Sequence, residues 1–164
     1  AVQAALTGHL VFSTLHTNDA PSAVTRLVDM GVKPFLVSAA VQAVMAQRLV
    51  RVLCPACAQS YVPEVSELRT LGLDPARSTE LRLRRAVGCD ECEGVGYRGR
   101  IGIFELMALD RTMREMVFRQ EPLTRLREYA RTSGGMKTLT EDGVRKVVEG
   151  QTSVEELLRV AASS

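Results

Sequence analysis

The spacing of apolar residues predicts a strand followed by a helix in the first part of the chain. Residues 9–15 are a short, β-leaning run in which both faces are largely apolar, as is typical of a buried strand in a parallel sheet. Apolar residues then recur at i, i+4, i+7 and i+8, which predicts an amphipathic helix from Ala20 to Gly31 with Asp19 as its N-cap. Residues 16–19 are the polar loop between them.

The next apolar segment carries no charge and predicts a buried helix. It begins at Pro34 and runs from Phe35 to about Ala46, and a helix that is apolar nearly all round is expected in a core. Residues 48–53 then predict a strand that leads into a cysteine pair.

The middle of the chain predicts small elements between two cysteine pairs. Residues 64–71 place apolar side chains on one helical face, and residues 81–84 alternate as in a half-exposed strand. A glycine-rich loop, 94–100, follows the second pair, and residues 101–107 predict another strand.

The remainder predicts helices that begin at recognisable residues. Asp110 is a predicted N-cap, and Pro122 opens the next helix. Two S/T-x-x-E capping boxes, at Thr138 and at Thr152, predict two more helices.

Composition excludes several classes of function. The chain has 164 residues, a net charge of +2, 4% aromatic residues and no tryptophan, so it offers neither the basic stripe nor the stacking platform of a nucleic-acid binder. No stretch reaches the roughly 18 consecutive apolar residues of a membrane span. The sequence contains no G-x-x-x-x-G-K-[ST] motif, which argues against an independent enzyme. It starts at Ala1 in what reads as the end of a helix, and we expect a fragment cut at its N-terminal side.

The four cysteines form two C-x-x-C pairs and predict a zinc site. Cys54 with Cys57 and Cys89 with Cys92 supply four thiolates, the ligand set of a closed, tetrahedral, structural zinc site. The loop between the pairs is longer than the commonest zinc-ribbon spacing. A redox C-x-x-C motif and two unrelated buried thiols remain alternatives at this stage.

Two histidines flank the predicted strand 9–15. His9 and His16 are seven residues apart, which puts them on opposite faces of a strand and argues against a shared metal. His16 would lie just outside the carboxyl end of a parallel strand, where α/β folds bind ligands. Thr14 and residues 17–19 add polar groups suited to a phosphate or its water. The alternative is a loop histidine that caps a turn.

Residues 7–20, TGHLVFSTLHTNDA, resemble the histidine box of the ATPases that drive type II secretion and type IV pilus assembly. Further segments resemble this family in the same order: 25–31, 46–51, 54–57, 89–92, 96–106, 135–139 and 141–143. The cysteine pairs point to a secretion or assembly ATPase rather than a retraction ATPase, and residues 27–32 resemble the type II branch more closely.

The resemblance implies an α/β fold, namely the C-terminal half of a RecA-like P-loop ATPase domain with a tetracysteine zinc lobe and a C-terminal helical region. It implies catalytic roles for His9 and His16 at the γ-phosphate, nucleotide binding by Thr14 and Arg48, and structural Zn²⁺ on the four cysteines. The family's P-loop and Walker B motif would lie upstream of Ala1, so this chain alone is expected to be inactive.

The resemblance also implies a homo-hexamer that uses Mg²⁺-ATP. Its expected place is cytoplasmic, peripheral on the inner membrane through secretion or pilus platform proteins, without nucleic acid. We predict four segments: a core half (1–53), a zinc lobe (54–92), a return strand (93–109) and a helical subdomain (110–164). The alternative function is a stand-alone zinc-ribbon module that binds protein or nucleic acid without catalysis.

Overall fold

The computed structural model describes residues 1–162, which form eight α-helices and four strands. The helices are α1 (Val2–Leu6), α2 (Ala20–Asp29), α3 (Pro34–Ala40), α4 (Val65–Thr70), α5 (Arg111–Phe118), α6 (Leu123–Thr132), α7 (Leu139–Val148) and α8 (Val154–Ala161). The strands are β1 (Ala43–Leu53), β2 (Gln59–Tyr61), β3 (Leu83–Arg85) and β4 (Tyr97–Ala108). The chain is therefore mixed α/β.

The chain divides into two compact units, each built from two separate stretches of sequence. The first unit contains residues 1–46 and 104–138, and the second contains residues 47–103 and 139–162 of the described part. Strands β1 and β4 are hydrogen-bonded neighbours, and each contributes residues to both units. The amide of Leu109 donates to Gln42 and that of Cys54 donates to Gly96, so the two strands run antiparallel.

The first unit buries helices α2, α3, α5 and α6 against the end of β4. Asp19 caps α2 by accepting the Ser22 N–H at 2.9 Å, and Asp110 caps α5 by accepting the Met113 N–H at 2.7 Å. Both predicted caps are confirmed. The apolar residues that form this core are Ala20, Val24, Val37, Met107, Leu109, Met113, Val117, Leu126, Ala130 and Met136.

The second unit packs α7 and α8 with its portions of β1 and β4 and with the small β2–β3 sheet. Strands β2 and β3 are antiparallel, with Ser60 opposite Arg84. The core residues of this unit are Val50, Leu71, Leu83, Ile103, Val144, Val147, Val154, Leu157 and Val160.

The predicted strand 9–15 is wrong. These residues form no helix or strand, and Leu10 and Phe12 are 82% and 88% exposed. An apolar run becomes a buried strand only if neighbouring strands accept and donate its backbone hydrogen bonds. Within residues 1–162 no such neighbour pairs with it.

The predicted helix from Phe35 to Ala46 is correct only in its first half. Helix α3 ends at Ala40, Val41 is extended, and β1 begins at Ala43. Only Val37 is buried in α3, and Phe35 is 48% exposed. From Ala43 the side chains alternate between exposed and partly buried. The uninterrupted apolar run 43–46 concealed this period of two in the sequence.

Two other boundaries differ from the prediction. Strand β4 begins at Tyr97, inside the predicted glycine-rich loop. Ser153, not Thr152, caps α8, because its side chain accepts the Glu156 N–H while Thr152 donates to the carbonyl of Arg51. The division into segments 1–53, 54–92, 93–109 and 110–164 stays a prediction, and residues 163 and 164 lie outside the described residues. Among the described helices, none has the length and hydropathy needed to cross a bilayer.

Candidate metal centre

The four cysteine sulfurs converge at one point of the second unit. All four lie within 4.8 Å of one another, and none forms a disulfide. The Sγ atoms of Cys54 and Cys89 are 3.9 Å apart, those of Cys57 and Cys92 are 3.8 Å apart, and those of Cys89 and Cys92 are 3.7 Å apart. Tetrahedral bonds of about 2.3 Å to zinc would separate the sulfurs by about 3.8 Å. The donor set and spacing therefore fit a tetrahedral metal ion.

Each cysteine pair lies at the end of a secondary-structure element. Cys54 follows the last residue of β1, and its N–H donates to the carbonyl of Gly96 at 3.0 Å. Cys57 lies one turn later, where its N–H donates to the carbonyl of Cys54 at 3.3 Å. Cys89 precedes a single 3₁₀ turn, Asp90–Cys92, which returns Cys92 to the same point.

Backbone amides point at two of the sulfurs. Gly88 donates to Cys57 at 3.3 Å, while Cys89 and Gly96 donate to Cys92 at 3.2 and 3.1 Å. Burial would raise the pKa of the Cys92 thiol, but the amides of Cys89 and Gly96 and the neighbouring thiols outweigh it and lower that pKa to about 7. Burial, together with the side chain of Cys92, raises the pKa of Cys89 to about 11. Amide donors of this kind orient and stabilise thiolate ligands.

Glycine is required at two positions around the sulfurs. Gly88 has a φ of +110°, and a Cβ there would lie 2.5 Å from the carbonyl oxygen of Gly94. Gly96 has a φ of +79°, and its Cβ would lie 2.7 Å from that of Ala86. Side chains would be strained at both positions, so the close approach of the second cysteine pair to β4 depends on them.

The histidine segment belongs to the first unit and is exposed. His9, Thr14 and His16 all face solvent, and His9 Nδ1 lies 3.1 Å from the Thr7 hydroxyl. Arg48 belongs to the second unit, where it is half-buried on β1. The structure thus brings the four predicted metal ligands together, whereas the predicted nucleotide residues are distributed over both units.

A buried glutamate that the sequence analysis did not identify anchors the residues after His16. Glu105 is 4% exposed on β4, and its Oε1 accepts the N–H of Ala20 at 2.8 Å. Asp19, beside it, accepts the Arg127 Nε at 2.6 Å. Burial opposes a low pKa for Asp19, but Arg127 and Ser22 outweigh it and lower that pKa. Glu105 shares a strand face with the buried Ile103 and Met107. The alternation of the sequence in this strand could therefore have predicted that Glu105 is buried.

Comparison with solved structures defines the class of fold. The chain superposes on the X-ray structure of the ATPase DotB from Legionella pneumophila with a TM-score of 0.59 and 17% identity. The match covers 99% of this chain and 34% of that one. The chain therefore has the fold of about one third of that structure.

The family follows from the sequence. A family model described as "Type II/IV secretion system protein" matches residues 1–159, and the chain belongs to this family. It is 54% identical over 160 residues to type II secretion system protein E of Pseudomonas aeruginosa, covering 98% of this chain and 31% of that protein. It is 48% identical over 158 residues to the type IV pilus assembly ATPase PilB of Thermus thermophilus, covering 96% and 18%. The predicted family resemblance is thereby confirmed.

The chain is short relative to these proteins. It is 46% identical to the type II secretion system ATPase E of Vibrio cholerae over 164 residues, which are 100% of this chain and 32% of that protein. It spans between 18% and 32% of the length of eight curated relatives, including these three.

Proposed function

We propose that this chain is the C-terminal part of a RecA-like ATPase domain in a motor that drives type II secretion or type IV pilus assembly. The observation that carries the proposal is the 46% identity over all 164 residues to a protein named as a type II secretion ATPase. The P-loop and Walker B motif that ATP hydrolysis requires would be supplied by the remainder of a longer protein.

The histidine segment would sense the nucleotide in that protein. His9 and His16 are exposed and could donate a hydrogen bond to a γ-phosphate oxygen or to the attacking water, with Thr14 and Arg48 as further nucleotide contacts. Asp19 and Glu105 support this role, because they fix the start of α2 at Ala20, a short loop after His16. A histidine that loses its phosphate partner on hydrolysis binds the two nucleotide states differently, and such a difference can move one subunit against another.

The cysteine cluster would hold Zn²⁺ in a structural role. Four thiolates fill a tetrahedral shell and leave no open position for a substrate. Zinc binding contributes about 10–16 kcal/mol to folding in small zinc-finger peptides. Here the ion would hold the second cysteine pair against the end of β1. Cys54 follows that strand directly, whereas Cys89 and Cys92 lie at the other end of the segment 54–92.

The surroundings of the motor follow from the same proposal. The intact protein would bind Mg²⁺-ATP, assemble as a homo-hexamer and lie on the cytoplasmic side of the inner membrane. It would associate with that membrane through platform proteins of the secretion or pilus machinery, without nucleic acid.

A histidine substitution in the full-length protein tests this function. We expect His16→Ala to lower ATP turnover at least tenfold while the fold is retained, because a contact to the transferred phosphoryl group contributes more than 1.4 kcal/mol. Gln3→Ala, an exposed change on α1, is the matched control and should leave turnover unchanged. Turnover of His16→Ala close to the wild-type rate would refute the sensor role. Absence of ATPase activity in the wild-type hexamer would refute the motor.

A further inference from the structure

A basic cavity lies within the second unit, and none of the four cysteines lines it. It has a volume of about 530 Å³ and is lined by Leu49, Arg51, Arg100, Glu156 and Arg159. Three guanidinium groups and one carboxylate give this lining a formal charge of +2. An uncompensated positive lining of this kind attracts anions.

Glu156 fixes two of the arginines in place. The carboxylate is fully buried, and its Oε2 accepts the Arg51 Nη2 at 2.7 Å and the Arg159 Nε at 2.8 Å. Its Oε1 accepts the backbone N–H of Arg51 at 3.0 Å and the Arg159 Nη2 at 2.7 Å. The side chain of Arg159 is the largest influence that lowers the pKa of Glu156 to about 2. Both oxygens of the carboxylate accept hydrogen bonds from Arg51 and Arg159, so Glu156 orients both guanidinium groups. Its single negative charge balances only one of their two positive charges.

Arg51 is held from a second side as well. The Cζ atom of Arg51 lies over the ring of Tyr97, 4.1 Å from the ring centroid. The Tyr97 hydroxyl in turn is 2.6 Å from Ser153 Oγ at the start of α8. Arg51 turns Nε and Nη2 towards Glu156, which leaves the edge formed by Nη1 and Nη2 unused by that carboxylate. An arginine that is oriented in advance loses little entropy when it binds an anion.

Arg100 supplies the third positive charge and is exposed on β4. Within the described part of the chain it forms no ion pair. Arg98, on the same strand, forms an ion pair with Glu91 at 3.8 Å and does not line the cavity. The cavity thus combines two fixed arginines with one that has no competing carboxylate.

We propose that this cavity binds a phosphoryl group, in which the Arg51 edge and Arg100 hold the phosphate oxygens and Arg159 completes the positive lining. Arginine forks match the oxygens of phosphate as bidentate partners. A phosphate monoester carries close to two negative charges at neutral pH, which matches the lining, whereas a single carboxylate would leave one positive charge uncompensated. Free phosphate and the phosphate of a nucleotide are the two sources that this chemistry admits.

Calorimetric titration of the purified chain tests the site, with inorganic phosphate and AMP as separate probes at constant ionic strength. We expect saturable binding of at least one probe and a loss of about tenfold or more in affinity for Arg100→Gln, since a charge-assisted hydrogen bond is removed. Arg98→Gln, on the same strand, is the matched control and should change affinity less than twofold. Neither arginine contributes to a core, so both variants should unfold at the wild-type temperature.

The probes also separate the sources of the phosphate. Tighter binding of AMP than of phosphate would support a nucleotide, and equal or weaker binding of AMP would support free phosphate. The proposal is overturned if neither probe binds saturably, if Arg100→Gln binds as the wild type does, or if acetate binds as tightly as phosphate.

Discussion

Removal of one cysteine tests whether the cluster is a structural metal site. Cys92 is the informative position, because it is 7% exposed and its sulfur accepts the amides of Cys89 and Gly96. In Cys92→Ala both donors lose their acceptor, and each unsatisfied buried donor costs about 1–3 kcal/mol. We therefore expect the free energy of unfolding to fall by about 2–6 kcal/mol, in addition to the loss of the metal. A typical domain has about 5–15 kcal/mol in total.

The assay combines metal content with stability. Purified wild-type protein should contain one zinc ion per chain, and Cys92→Ala should contain much less. Urea unfolding of both proteins measures the difference in free energy. Val95→Ala is the matched control, because Val95 lies in the same loop but is 54% exposed, and it should keep its zinc and most of its stability.

Two results would refute a structural metal site at the cysteines. Metal content well below one per chain, together with four thiols that react freely in the folded protein, would mean that the sulfurs converge without binding a metal. Full zinc content in Cys92→Ala would show that this sulfur is not a ligand.

The remaining predictions concern stability and are measured by urea unfolding. Arg159 and Arg51 lower the pKa of the buried Glu156 carboxylate from 4.5 to about 2. Its contribution of about 3 kcal/mol to the free energy of unfolding is therefore present above pH 4.5 and is lost as the pH falls towards 2. Glu156→Gln should lack this part of the acid dependence, and identical pH profiles of the two proteins would contradict the assignment. Gly96→Ala should lower the free energy of unfolding by several kcal/mol, because the new Cβ would lie 2.7 Å from that of Ala86. Gly99→Ala has a similar φ of +78° but nothing within 4 Å of its Cβ, so it should cost only about 1–2 kcal/mol. Equal losses of stability in the two variants would show that the close contact is unimportant. Asp19→Ala should lower the free energy of unfolding by about 1 kcal/mol, because the N-cap of α2 is lost. Asp19→Asn should retain most of that stability, since asparagine also caps helices. An equal loss in both variants would assign the effect to the charge of Asp19.

Features with local causes could be predicted from the sequence. The caps at Asp19 and Asp110 need only a side chain and an amide three residues later, and both form as expected. The C-x-x-C spacing similarly brings each pair onto one turn, and the predicted clustering of the four cysteines is observed.

Features that depend on distant residues could not be predicted in this way. Whether residues 9–15 form a strand depends on neighbouring strands, and within residues 1–162 none pairs with them. The burial of Glu156 depends on Arg51, which lies 105 residues earlier in the chain. A glutamate in the first turn of a helix is ordinarily exposed, so only the packed structure identifies it as the residue that orients the basic cavity.

The exposed segment 9–15 has a practical consequence for the chain on its own. It is apolar and β-prone, contains no proline, and has no acidic residue, lysine or arginine, which is the composition of segments that pair with other chains and aggregate. With Leu10 and Phe12 largely exposed, intermolecular strand pairing should begin here. Light scattering should therefore rise more steeply than protein concentration, and Phe12→Lys should suppress that rise.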